Sequence, residues 1–143
     1  VMLDAESRKA LCVVDLDTVM PGLSAYDFGD AIRFGAATAA EDETDLDKVT
    51  LDLNLFRVYT RGFLKACPML TEKEIEMLPM GAKIITLENG VRFLTDYLDG
   101  DHYFAVEHDA HNLIRSRTQF KLVTEMEQHW DEMVQIVKEE AAK

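Results

Sequence analysis

Asp15 and Asp17, one residue apart, are the side chains whose types and spacing could do chemistry. Two carboxylates presented together suit a hard divalent cation, which takes oxygen ligands and keeps positions open for water and substrate. The pair follows Leu11-Cys12-Val13-Val14, a short apolar run that reads as a buried strand. Met20-Pro21-Gly22 then breaks the chain, and Tyr26-Asp27-Phe28-Gly29-Asp30 opens a helix. In such an arrangement the strand fixes the backbone and the loop leaves the oxygens open. The alternative is a strand that ends in solvated acids before a turn, and an isolated D-x-D pattern does not choose between them.

The elements that must position these acids can be read in order. Val1-Met2-Leu3 is strand-like, Asp4 to Lys9 is a polar turn, and the Leu11 strand follows, which predicts a β-hairpin over residues 1–16. Residues 17–46 read as a loop and a short helix from Asp27 to about Ala37, then an acidic run, Glu41 to Asp45, read as a solvated loop. Residues 47–143 read as helical. Leu55, Phe56, Tyr59 and Phe63 share one face of a helix that ends at Cys67-Pro68. Thr71 and Glu74 form a capping box. The helix they start is expected to break at Leu78-Pro79, with a new one from Pro79 to Leu98 carrying Ile84, Leu87, Val91, Leu94 and Leu98 as its core stripe and Gly100 as its stop. Asp101 to Phe104 is a loop. One long helix from Ala110 to Glu140 follows, with Leu113, Phe120, Val123, Met126, Trp130, Met133 and Val137 facing the core. The expected fold is mainly α, a single domain in which a short N-terminal β-hairpin precedes a helical bundle.

Composition narrows the function. The chain has 143 residues, enough for one domain with a real core, and a net charge of −12. Such a surface repels phosphate backbones, so a nucleic-acid partner is not expected. No apolar run approaches ~18 residues, so no membrane span is expected. The first residues lack the basic region and apolar core of a signal peptide, and a cytoplasmic location fits best. Cys12, in the expected buried strand, behaves as a small apolar group; with Cys67 it makes neither a zinc site nor a disulfide framework. His102, His108, His111 and His129 read as solvated surface residues, since no third ligand completes the His108–His111 pair.

VVDLDTVMPG, then YDFGDAIRFG, the acidic EDE, and later RFLTDYLDGDHYF resemble the C-terminal lobe of the aminoglycoside phosphotransferase and choline kinase-like family, a protein-kinase-like fold. Within it the chain is most similar to N-acetylhexosamine 1-kinases, some of whose homologues are labelled mucin-desulfating. The resemblance covers nearly the whole chain. It implies that Asp15 corresponds to the acid of the kinase D-F-G motif and binds Mg²⁺, with Asp17 holding a water of the metal shell or the sugar. The Phe28-Gly29 pair is not that motif. Asp30 is implied to cap or orient the loop before it. The base and the phosphate-binding Lys are implied to lie upstream of Val1, in a catalytic loop and an N-terminal lobe absent from this sequence.

On the substrate side the resemblance places Arg92 and Tyr103 at sugar-contacting positions and Trp130 at a stacking position. Each has a plainer reading: Arg92 pairs with Asp96 four residues on, Tyr103 is buried, and Trp130 belongs to the core stripe. Two functions follow. One is the C-terminal lobe of an ATP- and Mg-dependent sugar phosphotransferase, inactive by itself. The other is a non-catalytic acidic helical module that binds a protein partner. In either case Val1, Leu3, Leu11 and Val13 would lose cover in this chain, and a homodimer through the hairpin or the emptied cleft is expected.

Overall fold

The computed structural model describes residues 1–17 and 19–143; Thr18, within the sequence VVDLDTVMPG, lies outside the described residues. Strands β1 (Met2–Leu3) and β2 (Ala10–Cys12) form an antiparallel hairpin. Among the described residues five helices follow: α1 (Ser24–Gly35), α2 (Leu53–Ala66), α3 (Glu72–Asp99), α4 (His111–Gln128) and α5 (Trp130–Ala141), with a 3₁₀ turn at Leu46–Lys48 before α2. The chain is therefore mainly helical with a short N-terminal hairpin, as its residue pattern predicts. No helix among the described residues is long and apolar enough to cross a membrane.

The core lies where α1, α4 and α5 meet α3 and where α2 packs on α1 and α5. Phe28 of α1 is fully buried, with its ring centroid 5.8 Å from Phe56 and 5.3 Å from Phe63 of α2. Helices α1 and α3 cross with backbones nearly touching. A Cβ added at Gly29 would come within 2.6 Å of the Gly81 carbonyl carbon, and one at Gly81 within 2.7 Å of that of Ala25, so only glycine permits this approach. Thr71 and Glu74 form the capping box of α3, and Gly100 ends that helix in the left-handed conformation at φ 102°.

Several expectations are corrected. The Leu11 strand is not buried: Leu11 and Val13 are each 62% exposed, Cys12 is exposed, and β2 stops at Cys12. A two-stranded hairpin has no second layer of its own to pack against. Helix α3 runs unbroken through Pro79, because Leu78 and Pro79 are fully buried and their packing offsets the one missing backbone hydrogen bond. Its inner face is Leu78, Ala82, Thr86, Phe93 and Asp96, while Ile84, Leu87, Val91 and Leu98 are exposed. The long C-terminal helix is two helices, divided at His129, whose backbone leaves the helical region (φ −100°, ψ 20°). The bend lets α4 follow α3 while α5 packs on both α2 and α3. On α2, Leu55 points outward and Phe56 and Thr60 inward.

Helix α5 is tied to α2 by a buried carboxylate. Glu140 accepts from Arg61 Nε at 2.8 Å, Arg57 Nη1 at 3.1 Å and Lys143 Nζ at 2.7 Å. The bonds from Arg61 and Lys143 hold its carboxyl far below the usual glutamate range against the upward push of burial, and Arg57 adds to them. A depressed carboxyl contributes stability above its unfolded value and loses it as pH falls through the folded one. Glu140→Gln is therefore expected to melt earlier than the parent at neutral pH, with the gap closing below the ordinary glutamate value of 4.5. Parallel thermal melts from neutral to acid pH check this, and a gap independent of pH would contradict it.

Candidate functional site

Asp96, on the inner face of α3, organises the loop that follows the helix. Gly100 and Asp101, both left-handed (φ 102° and 60°), turn the chain back toward α3. The backbone N–H groups of His102, Tyr103 and Phe104 then donate to the Asp96 carboxylate at 3.0, 2.8 and 2.9 Å. Asn112 of α4 donates to Asp96 Oδ2 at 2.9 Å and to Asp101 Oδ1 at 2.8 Å, which fixes the loop to the next helix. Burial pushes the Asp96 carboxyl up, but the three backbone donors, from Phe104, Tyr103 and His102, outweigh it and hold the carboxyl below its usual range.

The loop delivers Tyr103 to Arg92. Arg92 Nη2 donates to the Tyr103 hydroxyl at 3.3 Å, and its guanidinium lies 5.5 Å from the Tyr103 ring centroid and 5.3 Å from that of Phe104. Arg92 does not pair with Asp96, whose oxygens are taken by the loop; its nearest acid is Glu88, at 3.7 Å. Tyr103 is exposed, not buried. Beside them is a cavity of about 350 Å³, lined by Val91, Arg92, Thr95, Asp99, Tyr103 and Phe104 among others. It offers a guanidinium donor, a carboxylate acceptor and two aromatic faces, which suits a small polyhydroxylated ligand.

Trp130 is not part of this group. It is half-buried at the start of α5, with Lys83 Nζ 5.8 Å from its ring centroid. Lys83 lies nine residues before Arg92 on α3, ~13 Å along the helix axis. The ring is half-buried beside Lys83 and belongs neither to the lining of this cavity nor to the buried core.

Asp15 and Asp17 are both exposed and lie beyond the end of β2, so no buried strand presents them. Asp15 takes the left-handed conformation (φ 64°), which Asp adopts more readily than most residues. Among the described residues no cluster of three or more His, Cys, Asp or Glu could enclose a metal. A cation held by one or two carboxylates here would have to complete its shell with water and substrate phosphates. Asp30 accepts from Arg33 Nε at 3.0 Å within α1, and no side chain caps the start of that helix. Its carboxylate is thus engaged along the helix.

The acidic run and His111 are not simply solvated, whereas His102 and His108 are exposed as expected. Glu41 pairs with Arg33 at 2.6 Å and lies 3.5 Å from Arg115. His111 is buried, accepts from the Glu107 N–H at Nδ1, and has Asp42 at 3.6 Å from Nε2. Sequence reasoning missed Asp96 as an anchor, and with it Asn112, Asp99 and Phe104. The only local signal was an Asp one turn before a Gly-Asp helix stop. No protein-family model matches the chain.

Proposed function

We propose that this chain is the metal- and acceptor-binding lobe of an ATP- and Mg-dependent small-molecule phosphotransferase, with an N-acetylhexosamine as the acceptor class. The observation that carries this reading is the convergence of Arg92 and Tyr103 over one cavity, held there by the Asp96-anchored loop. The family resemblance picks these two residues, eleven apart in sequence, for the same task.

In this reading the free N–H groups of Arg92 and the carboxylate of Asp99 orient sugar hydroxyls, and the Tyr103 and Phe104 rings cover the C–H face of the pyranose. Asp15 and Asp17 would hold Mg²⁺, which when bound neutralises charge on the transferring phosphoryl group. The resemblance places the base and the phosphate-binding lysine upstream of Val1. Positioning supplies nearly all the catalysis in this chemistry, so the chain by itself is expected to be inactive. A second reading, an acidic module that binds a protein partner, is favoured by the exposed apolar hairpin residues Val1, Leu3, Leu11 and Val13.

Calorimetric titration with N-acetylglucosamine and N-acetylgalactosamine separates the two. Saturable binding of one of them is expected at millimolar sugar, weakened about tenfold or more in Arg92→Ala by loss of a charged hydrogen bond. The fold should tolerate that change, since an exposed pair such as Arg92–Glu88 contributes ~0.5 kcal/mol or less. Unchanged affinity in Arg92→Ala would remove Arg92 from the site, and absence of binding by the parent chain would favour the partner-binding module.

A further inference from the structure

Met77, Met80, Ile84, Leu87, Val91, Leu94 and Leu98 follow one another along α3 in strictly alternating steps of three and four. Five of them, Met77, Ile84, Leu87, Val91 and Leu98, are between 37% and 75% exposed, and Met80 and Leu94 are half-buried. The residues α3 buries in its own core, Leu78, Ala82, Thr86 and Phe93, lie on the opposite side of the helix. Helix α3 is thus apolar on two faces, only one of which this chain covers, and a helix apolar on both sides is normally covered on both.

The spacing specifies what fits the outer face. A 3.5-residue apolar period sustained over three heptads, ~32 Å of helix, is the seam of a coiled coil, and its complement is another helix. With Met77 in the first position of the heptad, Ile84, Val91 and Leu98 share that position and Met80, Leu87 and Leu94 take the fourth. The β-branched Ile84 and Val91 at the first position with Leu87 and Leu94 at the fourth favour two parallel strands. In a parallel pair each position just before the seam faces the other helix five residues on, which turns Lys83 of one copy toward Glu88 of the other; Lys83 Nζ already pairs with Glu127 at 2.6 Å within its own chain, so this contact would extend an existing ion pair. The other flanking pairs of that register, Glu76 with Gly81 and Gly90 with Thr95, bring no like charges together.

We propose that this seam docks a second copy of the chain, the two α3 helices pairing in parallel and in register as a two-stranded coiled coil. The proposal is independent of the phosphotransferase reading and places the dimer contact on α3, not on the hairpin. Val91 belongs to both the seam and the wall of the Arg92 cavity, so the second copy would stand at the cavity's edge.

Sedimentation velocity or light scattering after size exclusion, in physiological salt that screens the net charge of −12 beyond about 8 Å, provides the test. The chain is expected at twice the mass of one copy, and Leu87→Glu at the mass of one with its helical circular dichroism retained. Cross-linking fixes the register and does not depend on that variant folding. With Cys12 and Cys67 changed to serine, Met77→Cys and Leu98→Cys should each form a disulfide-linked dimer under mild oxidation, since a parallel in-register pair sets each residue beside its own copy. A monomer at all concentrations, a dimer that survives in folded Leu87→Glu, or failure of both cross-links would overturn the proposal.

Discussion

Asp96→Ala should lower the melting temperature by roughly 10 °C and abolish sugar binding together. The substitution leaves the N–H groups of His102, Tyr103 and Phe104 and one donor of Asn112 without their shared acceptor. Because the same bonds deliver Tyr103 to Arg92, the cavity wall goes with them. Asp96→Asn keeps one acceptor oxygen and should fall between. The pH dependence has a definite sign. The folded carboxyl lies below its ordinary value of 3.8, so its contribution is present above that value and fades as pH falls through the folded one. The difference between parent and Asp96→Ala should therefore be full at neutral pH and shrink below pH 3.8. Thermal melts and the sugar titration read both effects, and a variant that melted with the parent and still bound sugar would show that the loop holds itself.

What the sequence disclosed, it disclosed through local chemistry. Thr71 and Glu74 are three residues apart and satisfy each other, and Gly100 stops α3 because few other residues adopt its conformation, so both could be read without tertiary information. Helix α3 misleads for the opposite reason. Its inner face uses Gly81, Ala82, Thr86, Gly90 and Asp96, small or polar residues that a search for apolar periodicity passes over. Thr86 is acceptable there because its hydroxyl donates to the Ala82 carbonyl at 2.8 Å. The outer face has the stronger apolar stripe, and periodicity therefore assigns it to the core. The break at His129 carries no proline or glycine and follows from where α5 must pack. Asp96 could not be read as an anchor, because its partners become neighbours only once the loop has turned. Arg92 and Tyr103 came from the resemblance, and their contact is a feature of the fold that spacing alone does not predict.

The second large effect is expected at Asp15. Asparagine tolerates the left-handed backbone there about as well as aspartate, so Asp15→Asn should keep the fold and remove only a charge. If that charge binds Mg²⁺, its loss removes stabilisation of the transferring phosphoryl group and should lower turnover about a hundredfold or more. The central claim is tested most directly by assaying the natural gene product that carries this sequence for phosphoryl transfer from ATP to N-acetylhexosamines with Mg²⁺, as wild type and as Asp15→Asn. Sugar phosphate formed by the wild type and nearly lost in the variant is the predicted result. No transfer by the wild type, or turnover undiminished in the variant, would contradict the account.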